Sequence, residues 1–201
     1  MEVVVVQYHQ VVKINIKMDR YSSKYKEPYS KETIKQQLRD VVDFPKPGIL
    51  FKDISPILRD PKSMRYIVTD IAEHLKSDDI DIVVGLDARG FILGPMIADK
   101  LDVGFGMIRK AGKLPPPFIQ REYDLEYGSN KIAISSDIIQ EGMKVSIHDD
   151  LLATGGTCLA AIKMIEELGA KVVSLSFIVE LDELKGIDKL KDYKVYSFLK
   201  V

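Results

Sequence analysis

The chain has 201 residues, 46% of them hydrophobic and 29% charged, with a formal net charge of -1 and a sequence pI near 6.3. On a usual span of ~100–200 residues per domain this suits one domain with a small appendage, and at this length roughly 70% of the unfolded surface can be buried without staples. The balanced charge argues against a general nucleic-acid or membrane-surface binder, since both carry a large basic excess.

The first segment, MEVVVVQYHQVVKINIKM, is apolar in part but lacks a positive leader and a small-residue cleavage site, which argues against a signal peptide. It reads as an extra strand, a floppy arm or an upstream start ahead of Met18. The expectation is a poorly ordered extension over residues 1–29, followed by the main domain over residues 30–201. Ser30 can cap a helix in which Ile34, Leu38 and Val42 recur at helical spacing. FPKPG (Phe44–Gly48) stops it, because prolines remove donors and push their predecessors to extended geometry. A second helix opens with Asp60 as cap and Pro61 at its first position, and Met64, Val68, Ile71 and Leu75 form its apolar stripe.

From Ile80 onward strand and helix patterns alternate. IDIVVGL is a continuous apolar run, as in a strand covered on both faces. DARG turns, FILGPMIADKL reads as helix, and GFGMIRK is strand. A long polar segment runs from Ala111 to Asn130. KIAIS and MKVSIHDD are strands, and the helix CLAAIKMIEELGA closes at Gly169. KVVSLSFIVEL and YKVYSFL complete the set. Strands separated by helices of this length mean βαβ units and an α/β fold with a mostly parallel sheet. The single cysteine, Cys158, excludes an intramolecular disulfide framework and, with no metal-type Cys/His spacing, points to a reducing, cytoplasmic setting. No apolar run reaches the ~20 residues of a membrane span.

In open α/β sheets ligands sit beyond the carboxyl ends of the strands. Asp149 and Asp150 fall at such an end, followed by the turn LLATGGT and a helix starting near Thr157. Successive N–H groups of a glycine-rich turn, with an unpaired helix N-terminus, make an anion cradle. Thr154 and Thr157 add hydroxyls, and Gly155 and Gly156 let the backbone close around the anion. Two carboxylates would repel a phosphate directly, but they would accept hydrogen bonds from a vicinal diol a few ångströms away. The implied ligand is a sugar phosphate. Neither a Walker ending nor a GxGxxG fingerprint is present. The competing reading is a plain strand-to-helix turn that happens to contain two glycines.

HDDLLATGGT closely resembles the phosphoribosyl-pyrophosphate motif of type I phosphoribosyltransferases, in the wording of their adenine-using branch. FPKPGILFKDISPIL, GLDARGF, IRKAGKLP, YDLEYG and VELDELKG also match that family, in its order, so that the resemblance spans about Ile34 to Val201. It implies a mostly parallel sheet flanked by helices, with a small hood and a mobile catalytic lid. The implied reaction joins adenine to 5-phosphoribosyl 1-pyrophosphate with Mg²⁺, giving AMP and pyrophosphate in purine salvage, by a homodimer in the cytoplasm.

Site roles carried over by the resemblance are residue-specific. Asp149 and Asp150 would hold the ribose hydroxyls, and Ala153, Thr154, Gly155, Gly156 and Thr157 the 5′-phosphate. Asp87, Ala88, Arg89 and Gly90 would form the pyrophosphate loop, with a non-proline cis peptide at Asp87–Ala88. Arg109, Lys110 and Lys113 stand where the family gathers cations for pyrophosphate, Arg109 reaching toward a neighbouring subunit's site. Residues 111–130 would be the lid, in which Glu126 handles the proton of adenine's ring nitrogen and Tyr127 orders the closed form. Leu50 and Lys52 would read adenine's edge through their main chains, with Phe51 stacked on its face and Leu181 closing the other side. Mg²⁺ would ride on substrate oxygens and water, with no direct side-chain ligands expected.

Two positions depart from the family pattern: His148 replaces a usual Val or Ile, and Pro116 stands where Gly is common. His148 reads as a strand residue, Cys158 as a small packed one, and LPPPF as a stiffener of the lid. Two other functions compete. One is a phosphoribosyltransferase for hypoxanthine, guanine or another purine, against which GILFKDISP and the lack of a C-terminal Lys-Asp purine-reading pattern both speak. The other is a non-catalytic ligand-sensing regulator on the same fold, against which the intact acid pair, DARG and the Glu126-bearing lid speak.

Overall fold

The computed structural model describes residues 2–7, 10–15, 29–125 and 128–201, with side chains for residues 29–123 and 130–201. The chain divides into two compact units, residues 1–30 and 31–201. In the first, β1 (Glu2–Gln7) and β2 (Gln10–Asn15) pair antiparallel from Glu2↔Asn15 to Gln7↔Gln10.

The second unit opens with α1 (Lys31–Lys35), which buries Ile34. Here the structure corrects the sequence reading, because the helix expected to continue through Leu38 and Val42 stops at Lys35. Arg39–Val42 is instead a strand, β3, paired antiparallel with β4 (Leu50–Asp53) across the FPKPG turn. The Phe44–Pro45 peptide is cis and Asp43 has φ +59°. The turn folds the chain back, so cross-strand pairing replaces helical periodicity, and Val42, expected to be apolar-facing, is 72% exposed. This two-stranded sheet is the small hood.

A short helix, α2 (Ser55–Arg59), was not foreseen. The next, α3 (Pro61–Leu75), starts where the sequence places it: the Asp60 carboxylate accepts hydrogen bonds from the N–H groups of Lys62 and Ser63, a cap worth about 1 kcal/mol. Its buried stripe is Ile67, Val68, Ile71, Ala72 and Leu75, with Met64 only half-buried.

The main sheet comprises β5 (Ile82–Leu86), β6 (Gly104–Lys110), β7 (Phe118–Leu125), β8 (Gly128–Ser135), β9 (Lys144–Leu152), β10 (Lys171–Glu180) and β11 (Val195–Lys200), with α4 (Gly90–Leu101) after β5 and α5 (Gly156–Glu167) after β9. Its order is β11-β10-β9-β5-β6-β8-β7. The five strands β11, β10, β9, β5 and β6 run parallel, whereas β8 and β7 are antiparallel. Every residue of β5 is buried, as expected for a central strand covered on both faces. Ile147, Val145, Leu86 and Ile108 pack with Ile162 and Ile165 of α5 in the core beneath the strands' carboxyl ends.

The segment Ala111–Asn130 is a second correction. It was expected to be irregular, yet Phe118–Leu125 forms an eight-residue strand in register with β8, from Phe118↔Ser135 to Leu125↔Gly128. Exposed Gln120 and Glu122 alternate with half-buried Arg121 and Tyr123 on an edge strand, so polarity there reflects a sheet edge rather than a loop.

Candidate active site

Two strand-to-helix junctions, β5 to α4 and β9 to α5, meet at the carboxyl rim of the parallel strands. After β5 the chain turns through Asp87–Arg89 into α4, and the Asp87–Ala88 peptide is cis, as the family resemblance implies. Gly90 is required by close approach: a Cβ there would lie 2.6 Å from the His148 carbonyl oxygen and 3.2 Å from an Asp149 carboxylate oxygen. The pyrophosphate-type loop and the acid pair therefore touch through backbone.

Strand β9 runs further than expected, through Asp149, Asp150, Leu151 and Leu152, so the turn is reduced to Ala153–Gly155 and α5 begins at Gly156. Gly155 has φ +74° and precedes the free first N–H groups of α5. A cavity of about 80 Å³ is lined by Asp149, Leu151 to Cys158 and Phe177. A larger cavity, about 550 Å³, lies at the opposite rim among Asp81, Asp99 and Asp102. Its lining holds three carboxylates and no Lys or Arg, whereas the smaller one is lined by Asp149 and the start of α5.

The two aspartates sit in different surroundings. Asp149 Oδ1 accepts from the N–H of Asp150 at 2.9 Å. Burial, then the charge of Asp150, pushes the Asp149 carboxyl well above its ordinary range. Asp150 is 3% exposed and burial raises it too, while Arg89 pulls it back. Arg89 Nε lies 2.7 Å from Asp150 Oδ2 without hydrogen-bond alignment, and its guanidinium sits 5.3 Å from the centre of the Phe51 ring. One side chain thus joins the acid pair, the pyrophosphate loop and the hood.

Of the remaining candidates, Arg109 and Lys110 are tied to the centre through Asp87, and Phe51 through Arg89. Arg109 donates to Asp87 Oδ2 at 3.1 Å and stacks 5.8 Å from Phe91, and the N–H of Lys110 points to the same carboxylate at 3.4 Å. Lys113 is exposed in the connection before β7. Leu50 is 48% exposed, Phe51 is half-buried with its edge against Phe44, and the Lys52 ammonium pairs with Asp40 at 2.7 Å. Leu181 is held by its N–H donating to the Leu152 carbonyl at 2.9 Å. Glu126 and Tyr127 lie outside the described residues.

His148, buried beneath the site, contacts the Ser176 hydroxyl at 3.0 Å through Nδ1, and burial lowers its pKa to about 4. It is neutral near pH 7, which fits the strand-residue reading. Cys158 is buried and its thiol is pushed up, chiefly by burial, so it is not an activated nucleophile. Two residues at the site were not foreseen. Gly186 presses on the cradle, since a Cβ there would lie 2.1 Å from the Ala153 carbonyl oxygen. Tyr123, on β7, meets the Thr157 hydroxyl at 3.1 Å. Nothing local in the sequence signals either contact, because each joins segments about thirty residues apart.

A parallel sheet with an acid pair, a glycine cradle and a cis-peptide loop at one rim has the architecture of type I phosphoribosyltransferases. The sequence model of the phosphoribosyl transferase domain matches residues 55–200. Over 167 residues the chain is 48% identical to the adenine phosphoribosyltransferase of Methanococcus vannielii, covering 83% of this chain and 96% of that one. The crystal structure of adenine phosphoribosyltransferase from Thermoanaerobacter pseudethanolicus superposes with a TM-score of 0.83 at 44% identity, covering 86% of this chain and 100% of that chain. The Saccharomyces cerevisiae adenine phosphoribosyltransferase, crystallised with an imino-altritol bisphosphate and adenine, gives 0.80 at 40% identity, covering 84% and 98%. The chain belongs to the adenine phosphoribosyltransferase family.

Proposed function

We propose that this protein transfers the 5-phosphoribosyl group from phosphoribosyl pyrophosphate to adenine, forming AMP and releasing pyrophosphate. The observation that carries this reading is Arg89, whose guanidinium meets both Asp150 and the Phe51 ring. On this reading one side chain reaches a diol-binding acid, a leaving-group loop and an aromatic base platform.

In this reading residues 30–201 carry the activity and residues 1–29 are an extension. Asp149 and Asp150 accept the ribose hydroxyls, and the N–H groups and hydroxyls of Ala153, Thr154, Gly155, Gly156 and Thr157 hold the 5′-phosphate. The C1′–pyrophosphate bond loosens first, positive charge grows on the ring, and adenine's nitrogen then bonds to C1′ from the opposite face, as in glycosyl transfer. Ala88 and Gly90 offer N–H groups to the departing pyrophosphate. Arg89, Arg109, Lys110 and Lys113 supply positive charge to it, and fixed charges of this kind need little reorganisation as the transition state forms. Asp87 aims Arg109. Adenine stacks on Phe51 against Leu181, its edge read by the main chain at Leu50 and Lys52. Glu126 handles the proton displaced from the ring nitrogen, and Tyr127 orders the lid, which excludes water from the ribosyl centre.

Among the described residues, no three His, Cys, Asp or Glu side chains gather as a metal cluster. The acid pair at the rim suits an ion carried mainly on substrate oxygens and water. When bound, Mg²⁺ neutralises charge on the pyrophosphate. We place the enzyme in the cytoplasm as a homodimer; among the described residues no helix is long and apolar enough to cross a membrane.

The test is direct: purified protein, Mg²⁺, phosphoribosyl pyrophosphate and each of adenine, hypoxanthine, guanine and xanthine, with nucleotide and pyrophosphate measured. AMP from adenine, with the other bases far slower, is expected. Another nucleotide as main product assigns a different purine, and phosphoribosyl pyrophosphate binding without turnover assigns a sensor.

A further inference from the structure

The 5′-phosphate cradle is tied to the strand that forms the lid's base. On β7, Ile119 and Tyr123 face the core and pack under α5, and Arg121 pairs with Glu167 near the helix's far end. At the near end the Tyr123 hydroxyl receives the Thr157 hydroxyl proton, at 3.1 Å. Thr157 is the second residue of α5 and the last of the cradle. Tyr123 pairs across the sheet with Asn130, in the same strand register that carries the chain to Leu125↔Gly128 at the lid's tip. One hydrogen bond thus spans from the lid hairpin to the anion site.

The chemistry of this pair is reversible. A hydroxyl has one proton to give and two lone pairs, and so does a phenol. Here Thr157 donates to Tyr123. A phosphate group is an acceptor, so it would draw the Thr157 proton toward itself. Tyr123 can then turn its own O–H onto the oxygen Thr157 has freed. The resulting chain, phenol to threonine to phosphate, polarises in one direction, and each bond strengthens the next.

Resting on the reading of Ala153–Thr157 as the 5′-phosphate site, we propose that Tyr123 is a positioning residue that aims the Thr157 hydroxyl at the phosphate and couples phosphate occupancy to the lid hairpin. It touches no reacting atom and acts through Thr157. A purely structural role would be to pin β7 on α5, which the ring can do without its hydroxyl.

Ribose 5-phosphate binding by calorimetry, on wild type, Y123F, T157V and the double variant, separates these. Y123F should weaken ribose 5-phosphate binding by ~3- to 10-fold, the scale of one net hydrogen bond. It should raise the KM for phosphoribosyl pyrophosphate in parallel, leaving the adenine KM and the melting temperature unchanged. Added to T157V, it should cost nothing further. Wild-type affinity in Y123F, or an equal loss on the T157V background, overturns the proposal while the cradle stands. A wild-type protein that does not bind ribose 5-phosphate overturns the cradle reading, and this inference with it.

Discussion

The acid pair makes opposite demands on stability and on binding, and Asp149→Asn separates them. Asp149 Oδ1 accepts the Asp150 N–H at 2.9 Å, and an asparagine carbonyl can keep that bond. What the substitution removes is a negative charge held in a partly buried place beside a second carboxylate. Burial and the Asp150 charge both raise the folded-state value, so the folded protein retains the proton to higher pH than the unfolded chain. Stability from this group is therefore present at the acid end and is lost as pH rises from the ordinary value of 3.8 through the raised one. Each unit of difference is worth about 1.4 kcal/mol. Near neutral pH the variant should therefore be the more stable one, and each ~1 kcal/mol of gain reads as ~2–4 °C in Tm for a chain of this size.

Binding should move the other way. A charged acceptor on a ribose hydroxyl contributes ~1.5–3 kcal/mol, so kcat/KM for phosphoribosyl pyrophosphate should fall about 10- to 100-fold. Thermal unfolding of wild type and variant from pH 5 to 8.5, beside steady-state kinetics, reads both. The Tm gap should open as pH rises and then level off. A variant that melts at or below wild type near pH 8, or a gap that does not grow with pH, refutes the reasoning about the pair.

Three further outcomes are expected. His148 is lowered by burial to about 4 from 6.5, with the Ser176 contact pulling it back, so its stability is full above pH 6.5 and is lost as pH falls toward 4, by up to ~3 kcal/mol. His148→Val should flatten that part of the profile in urea titrations, and an unchanged slope would exclude His148 as its source. Gly186→Ala places a methyl 2.1 Å from the Ala153 carbonyl oxygen and should cost ~1–3 kcal/mol while raising the KM for phosphoribosyl pyrophosphate, with the adenine KM little moved; parallel rises in both would point to general misfolding. Glu126→Ala should lower turnover ~10²–10⁴-fold, and near-normal turnover would remove Glu126 from the mechanism.

Chemistry that is local in sequence was legible there. The acid pair, the cradle and DARG each occupy a few consecutive residues after an apolar strand, and the helix cap at Asp60 is one residue reading its own next turn. What escaped depends on partners far along the chain. Leu38 and Val42 keep helical spacing, yet Arg39–Val42 pairs with Leu50–Asp53 because the proline turn returns the chain, and cross-strand bonds outweigh a weak local propensity. The polar stretch from Gln120 looks like a loop because Gln120 and Glu122 face water from a sheet edge. Tyr123 and Gly186 reach the cradle only once β7 and the turn after β10 have packed against it.

These long-range contacts also explain how the site can hold so much charge and still fold. Several groups proposed to meet substrate have internal partners here: Arg89 lies against Asp150, Arg109 donates to Asp87, and Thr157 donates to Tyr123. A buried acid left without a partner would cost several kcal/mol, so the two ion pairs, Arg89–Asp150 and Arg109–Asp87, are a condition of stability in the free protein. On the proposed reading, binding is then an exchange of partners. Ribose hydroxyls would take the carboxylate from Arg89, freeing it toward the pyrophosphate, and the phosphate would accept the hydrogen bond that Thr157 now donates to Tyr123. On the same reading an analogue lacking the diol would leave Arg89 held by Asp150 and so lose the leaving-group contact as well as its own. Discrimination at the sugar would then reach the bond being broken through one guanidinium, the one that approaches Asp150 to 2.7 Å.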